Sequence, residues 1–76
     1  LFPDSSEPMS IKIQLNGEPK SVPDGSTVAD LLADLQIDKR YCAVEKNLQV
    51  IPREQHADCQ LQAEDRVEIV TLVGGG

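Results

Sequence analysis

Apolar and polar residues alternate near both ends of this 76-residue chain, and each alternation predicts a β-strand. Every second residue from Ile11 to Leu15 is apolar, and the dipeptide Asn16-Gly17 that follows is a strong signal for a two-residue hairpin turn. The stretch EPKSV is the expected return strand, and Pro19 favours an edge position for it because proline has no N–H to donate. The fold is therefore expected to begin with a β-hairpin.

A helical spacing of apolar residues is clearest in the stretch STVADLLADLQI, residues 26–37. Ser26 or Thr27 is expected to cap the N-terminus of this helix. Asp30 and Asp34 are expected to lie near the positive end of the helix dipole. The apolar residues form one stripe, which consists of Val28, Leu31, Leu32 and Leu35. One helix with one apolar stripe needs one sheet to cover it.

The second half of the chain predicts three more strands. Residues 41–45 and 48–51 are short strands on either side of an expected turn at Lys46-Asn47. Pro52 ends the second of them, and the stretch REQHADC predicts a short helical turn or a loop. The stretch DRVEIVTLV predicts a long last strand with Val67, Ile69, Thr71 and Val73 on one face and Glu68, Val70 and Leu72 on the other.

Together these elements predict an α+β domain of the β-grasp, or ubiquitin-like, class. In this architecture one mixed sheet packs on one main helix, and the last strand lies near the middle of the sheet. We assign residues 9–73 to the domain and residues 74–76 to a flexible C-terminal glycine tail. Residues 1–8 are polar, bounded by proline and without periodicity, so we expect a disordered leader or a vector-derived remnant before Met9.

Composition narrows the possible functions. Only 39% of the residues are apolar, so the core is small, and a module that acts together with a larger partner is favoured. The net charge of −6 and the scattered Lys and Arg residues disfavour binding to nucleic acid. No apolar run is as long as a membrane span, and two cysteines cannot form a dense disulfide framework. We therefore expect a cytoplasmic protein that binds neither nucleic acid nor membrane.

The C-terminal stretch TLVGGG carries the main chemical hypothesis. Gly74 and Gly75 form a thin thread that can enter a narrow active site, and the carboxylate of Gly76 can be made reactive by conversion to an acyl-adenylate. The chain has no phosphate-binding loop motif, so a partner enzyme would have to use the ATP. A frayed end or a leftover linker is the competing interpretation.

Other candidate residues carry weaker signals. His56 and Cys59 form an H-x-x-C spacing, which together with Cys42 could be imagined as a zinc site, but no paired C-x-x-C spacing supports a metal. A catalytic Cys-His pair is equally disfavoured, so we expect loop packing for His56 and Cys59 and a buried position for Cys42.

Two further pairs of residues suggest structural and docking roles. We expect Arg53 and Glu54 to be structural, with Arg53 bonding backbone carbonyls or a carboxylate. Val70 and Leu72 are expected on the face of the last strand that does not cover the helix. There they could form a docking patch beside the tail.

The stretches VEKNLQVIPREQH and EDRVEIVTLVGGG resemble the ThiS-type sulfur carriers of thiamine biosynthesis. The resemblance runs from Met9 to Gly76. It implies that an E1-like adenylyltransferase activates Gly76 with ATP and Mg²⁺. Sulfur from a donor such as a cysteine desulfurase then gives a thiocarboxylate, which thiazole synthase consumes. It also implies that the domain is not an enzyme and contains no catalytic residue, bound cofactor or metal.

The turn before the last strand departs from the pattern of this family. The family usually has a Gly-Asp turn there, whereas this chain has Ala63-Glu64-Asp65. Glu64 must therefore adopt a positive φ, which is uncommon for a residue other than glycine, or the turn is of another type.

Several different functions are compatible with a β-grasp domain that ends in glycines. A carrier for molybdopterin synthesis or tRNA thiolation belongs to the same class as the thiamine carrier and differs from it only in its partners. A ubiquitin-like protein modifier and a non-covalent β-grasp binding module belong to two different classes. A ferredoxin is excluded because four closely spaced cysteine ligands are missing.

Overall fold

A computed structural model of the chain describes residues 9–72, which form five strands, one α-helix and two short 3₁₀ turns. The strands are β1 (Ser10–Leu15), β2 (Glu18–Pro23), β3 (Cys42–Lys46), β4 (Gln49–Val50) and β5 (Arg66–Thr71). The helix is α1 (Val28–Asp34), and the 3₁₀ turns are Lys39–Tyr41 and Arg53–Gln55. The strands, the α-helix, the short helical turn after Pro52 and their order agree with the sequence prediction. The 3₁₀ turn Lys39–Tyr41 is not among the predicted elements, and it contains Tyr41, the predicted first residue of a strand. The predicted leader 1–8 and tail 74–76 lie outside the described residues, so both stay predictions.

The five strands form one mixed sheet in the order β2-β1-β5-β3-β4. The β1–β5 pair is parallel and the other pairs are antiparallel. As predicted, β5 is the central strand, and β2, which contains Pro19, is at an edge. The β1–β2 turn has positive φ values of 50° at Asn16 and 84° at Gly17, which is the backbone that the Asn-Gly signal predicts.

The helix begins with a capping box. The Thr27 hydroxyl accepts from the Asp30 N–H at 3.1 Å, and the Asp30 carboxylate accepts from the Thr27 N–H at 3.0 Å. Thr27 is therefore the cap, whereas Ser26 is buried and its hydroxyl donates to the carbonyl of Pro23. The prediction for Asp30 is confirmed, since it lies in the first turn.

The prediction for Asp34 is wrong, because the helix ends earlier than its apolar spacing indicates. Gln36 adopts a φ of 59°, and the N–H of Ile37 donates to the carbonyl of Leu32 at 2.9 Å. This Schellman-type closure makes Asp34 the last helical residue, at the negative end of the dipole. Lys20 lies 3.5 Å from the Asp34 carboxylate and offsets the unfavourable position.

The β3–β4 turn is also displaced from its predicted position. Positive φ values of 53° and 70° occur at Asn47 and Leu48, so these two residues form the turn instead of Lys46-Asn47. Lys46 belongs to β3, opposite Val67 of β5. The additional pairing with the central strand extends β3 by one residue.

The core lies between α1 and one face of the sheet. Three residues of the predicted helical stripe are buried, and Leu35 packs at its edge. Within residues 9–72 the buried apolar residues of the core are Ile13, Val22, Val28, Leu31, Leu32, Val44, Leu61, Val67 and Ile69. No helix within residues 9–72 is both long enough and apolar enough to cross a membrane.

Candidate functional site

The C-terminal end of β5 is where the folded domain leads toward the glycine tail. The Leu72 N–H donates to the carbonyl of Tyr41 at 2.6 Å, so backbone pairing with the neighbouring segment continues one residue past the end of β5. The tail residues Gly74, Gly75 and Gly76 lie outside the described residues. The predicted role of Gly76 as the reactive end therefore stays a prediction. Leu72, the last described residue and thus the root of the tail, directly follows the central strand of the sheet.

The face of the sheet that does not cover α1 is here called the outer face. Val70 and Leu72 lie on it, as predicted, with 57% and 54% of their surface exposed. Val70 of β5 is opposite Ala43 of β3. On the other side of β3, Val50 of β4 is opposite Glu45. The outer face therefore has an exposed apolar region near the end of β5, as the alternation predicts, and its role in docking stays a prediction.

The same face contains an acidic pair that the sequence analysis did not identify as a site. Glu45 of β3 is directly opposite Glu68 of β5, one step along the outer face from Ala43 and Val70. Two like charges at such a position repel each other. A one-residue change in pairing would separate them, so only the register of the two strands could have identified this pair.

Two polar side chains fix β5 in the sheet. Asn16 accepts from the Ile69 N–H at 2.9 Å and donates to the Ile69 carbonyl at 3.4 Å, which extends the β1–β5 pairing beyond the end of β1. Asp65, which is buried, accepts from Asn47 Nδ2 at 3.0 Å and from the Gln62 N–H at 2.8 Å. The strand that leads to the tail is therefore held by hydrogen bonds near its start and in its middle.

The turn before β5 resolves the departure from the family pattern. Glu64 adopts a φ of 73°, which is the first of the two alternatives that the missing glycine leaves open. Its N–H donates to the carbonyl of Lys12 at 2.8 Å. The left-handed conformation is therefore retained with a residue that adopts it less readily than glycine.

Asp38 and Arg40 form an ion pair beside Tyr41, which is hydrogen-bonded to Leu72 at the root of the tail. The Arg40 guanidinium binds both carboxylate oxygens of Asp38, with a shortest distance of 2.7 Å, and lies 5.2 Å from the ring centroid of Tyr41. Hydrogen bonds from Arg40 lower the pKa of Asp38 from 3.8 to about 2. The exposed side chains of Asp38 and Arg40 are therefore bound to each other beside Tyr41, whose carbonyl accepts the hydrogen bond from Leu72.

His56 and Cys59 belong to a loop that packs across the start of α1. Their carbonyls accept from the Ala29 and Val28 N–H groups at 3.0 and 2.9 Å, so they satisfy helix donors that would otherwise lack partners. The His56 ring is buried, with Nε2 3.1 Å from the carbonyl of Ile51. This is the loop packing that was predicted.

The remaining candidates are not combined into a reactive site. Cys42 is half-buried at the edge of the core, and burial raises the pKa of its thiol. Within residues 9–72 no three His, Cys, Asp or Glu residues form a group that could hold a metal ion. Arg53 and Glu54 are exposed, and neither side chain makes a hydrogen bond or ion pair within the same range. The bonding role predicted for Arg53 is therefore wrong for this part of the chain.

Comparison with known proteins identifies relatives that cover nearly the whole chain. The ThiS family model matches residues 13–76. The sulfur carrier protein ThiS of Bacillus subtilis is 40% identical over 65 residues, which are 84% of this chain and 98% of that protein. A crystal structure of the thiamine biosynthesis protein ThiS from Geobacter metallireducens superposes with a TM-score of 0.74 at 30% identity, covering 87% of this chain and 100% of that one. The β-grasp prediction is thereby confirmed.

Two other relatives are much longer proteins. Thiazole synthases of Paramagnetospirillum magneticum and Magnetococcus marinus are 38% and 39% identical to this chain over 66 residues. These residues are 87% of this chain but 20% of each thiazole synthase, so the chain spans about a fifth of their length.

Proposed function

The chain belongs to the ThiS family, and we propose that it serves as a sulfur carrier in thiamine biosynthesis, with Gly76 as the residue that carries the sulfur. The family is the one that the sequence predicted. The observation that carries the proposal is the match to a sulfur carrier protein over 98% of that protein's length. The folded domain then acts as a co-substrate that presents its C-terminus to enzymes.

The chemistry proposed at Gly76 requires an activating enzyme. An E1-like adenylyltransferase uses ATP and Mg²⁺ to join the terminal carboxylate to AMP, and pyrophosphate is released. Sulfur at the oxidation level of sulfide then attacks the acyl carbon, and AMP leaves. A cysteine desulfurase takes this sulfur from cysteine as a persulfide on its own cysteine, and a thiol reductant supplies the two electrons that bring the sulfur to the sulfide level. The product is a thiocarboxylate, a better nucleophile than the carboxylate it replaces.

Thiazole synthase is the proposed acceptor of this sulfur. The proposal is supported by the two thiazole synthases that contain, within their own chains, a region similar to 66 residues of this one. A covalent link keeps two domains at high effective concentration, which benefits domains that act in consecutive steps. We infer that the domain of this chain presents its tail to the same kind of enzyme.

Docking is assigned to the outer face. Val70 and Leu72 lie on the strand that leads to the tail, so an enzyme that binds them receives the C-terminus in a defined direction. The tail glycines Gly74 and Gly75 would then pass into the active site of the enzyme as a narrow thread. Recognition and chemistry are thus separated by only a few residues.

Intact-mass spectrometry tests the proposal directly. Protein isolated from its own cells, or incubated with its adenylyltransferase, ATP, Mg²⁺, cysteine, a desulfurase and a thiol reductant, should gain the mass difference between one sulfur and one oxygen. Deletion of Gly75-Gly76 should abolish the gain while the circular dichroism spectrum stays unchanged. If the truncated protein still supported thiazole formation, the proposal would be wrong. Conjugates of high molecular weight would instead indicate a protein modifier.

A further inference from the structure

The outer face combines an apolar region with a pair of carboxylates, and within the described residues 9–72 neither carboxylate forms an ion pair. Glu45 and Glu68 are directly opposite each other on neighbouring strands, so their Cβ atoms are about 5 Å apart. Glu45 is half-buried between Glu68 and Val50, while Glu68 is exposed. The carboxylates therefore point away from the core into the same space.

The cations of the domain do not neutralise this pair. The three ion pairs within residues 9–72 are Lys20–Asp34, Arg40–Asp38 and Lys46–Asp65, and none of them includes Glu45 or Glu68. Arg66 precedes Glu68 by two residues at the neighbouring outer-face position of β5, but it forms no ion pair within 4.0 Å in this part of the chain. The free domain thus retains a repulsion that a bound cation would remove.

We propose that the outer face receives an enzyme surface on which an arginine lies beside apolar side chains, so that its guanidinium binds Glu45 and Glu68 together. Val70 and Leu72 are covered by the apolar side chains, since the acidic pair is one step along the sheet from Val70. A planar guanidinium with five donors suits two adjacent carboxylates better than a lysine does. The inference rests on the proposed function, because the occupant is the activating enzyme.

Charge complementarity also argues against a second copy of the chain on this face. Two outer faces in contact would bring four carboxylates together in a protein whose net charge is already −6. Sedimentation of the wild-type domain should therefore show a monomer at low salt. A stable dimer through this face would overturn the proposal.

The decisive variant is the double substitution Glu45→Gln with Glu68→Gln, which removes the charge and keeps the side-chain shape. With the adenylyltransferase, ATP and radioactive pyrophosphate, the KM for the domain in pyrophosphate exchange should rise roughly tenfold or more, the effect of losing a close interfacial charge pair. The kcat should stay unchanged because the reaction occurs at Gly76. The urea midpoint of the free variant should rise, since the repulsion is gone.

A matched control removes two charges elsewhere. Glu18, opposite Leu15 at the helix-facing side of the sheet, and Glu54, in the second 3₁₀ turn, are both exposed. The double variant Glu18→Gln with Glu54→Gln changes the net charge by the same amount and should leave the KM close to wild type. The wild-type KM should also increase with salt more steeply than that of the outer-face variant.

The outcomes separate the two proposals. If wild-type domain is adenylated but the outer-face and control variants have equal KM values, the arginine inference is overturned and the sulfur-carrier proposal stands. If the wild-type domain is not adenylated by its enzyme, the proposed function fails, and this inference fails with it. A higher KM together with a more stable free domain supports the inference, because a purely structural role would lower stability.

Discussion

The two faces of β5 carry similar apolar residues but differ in exposure. Val67 and Ile69 point toward α1 and are buried, with 1% and 8% of their surface exposed. Val70 and Leu72 are chemically similar but more than half exposed on the other face. Because successive side chains of a strand point in opposite directions, a few residues can stabilise the fold and present an apolar surface beside the tail. Exposure therefore distinguishes the two roles better than residue type does.

Polar groups differ between the two faces in the same way. Asp65, which is buried directly before β5, accepts two hydrogen bonds through its carboxylate, and Lys46 Nζ lies 3.7 Å from it. Glu68, on the outer face, lies opposite another glutamate. The hydrogen bonds to the Asp65 carboxylate stabilise the position of β5. The repulsion between Glu45 and Glu68 lowers the stability of the free domain, and a bound cation would relieve it.

Truncation of Ile69 on the buried face should have the largest effect on stability. Ile69→Ala leaves a cavity against the core, and the free energy of unfolding should fall by about 2–5 kcal/mol. Urea denaturation measures the change. Val70→Ala on the outer face is the matched control and should change stability by no more than about 0.5 kcal/mol. Equal losses for the two variants would contradict the division between the faces.

Loss of the buried carboxylate of Asp65 should have the next largest effect. Asp65→Ala leaves Asn47 Nδ2 and the Gln62 N–H without their acceptor, so stability should fall by about 1–3 kcal/mol. Thermal unfolding measures this loss, and Asp65→Asn, which keeps one acceptor oxygen, should recover part of it. Wild-type stability in Asp65→Ala would show that these hydrogen bonds do not hold β5.

Polar substitution of the apolar outer face should affect activation more than folding. Val70→Ser with Leu72→Ser should raise the KM of adenylation about tenfold or more, because truncation of central interface residues costs more than about 1 kcal/mol each. The urea midpoint should move only slightly, because both side chains are already exposed. A large loss of stability with an unchanged KM would assign these residues to the fold instead.

The smallest effect is expected at the ion pair beside the tail root. Hydrogen bonds from Arg40 lower the pKa of Asp38 to about 2. Above the ordinary pKa of 3.8 the Asp38 carboxylate is therefore charged, and the ion pair makes its full contribution to stability. As the pH falls through about 2, the carboxylate is protonated and the contribution of the pair is lost. An NMR titration of the Asp38 carboxyl carbon should show this low midpoint. In Arg40→Gln the midpoint should return toward 3.8.

Local patterns in the sequence predicted most of the fold. Alternation in β1 and β5, the Asn-Gly turn and the helical stripe each involve neighbours within one element, and the structure confirms all of them. The exposure of Val70 and Leu72 followed from the same alternation, whereas the structure decided between the two alternatives for the turn at Glu64 in favour of a positive φ. The strand and helix predictions succeeded because the direction of a side chain depends on its position along the element. The turn prediction succeeded because the backbone of a two-residue hairpin turn depends on its two central residues.

Other features depend on contacts between distant segments, and only the tertiary structure decided them. The end of the helix at Asp34 is a local exception, since the left-handed position of its Schellman-type turn is occupied by Gln36 and not by the glycine that usually signals such an end. β3 extends to Lys46 because it pairs with the central strand. Glu45 becomes the neighbour of Glu68 only through the register of β3 and β5. Periodicity determines which face a residue occupies, but strand pairing determines what lies beside it. The chemistry of the outer face therefore became visible only when the sheet was assembled.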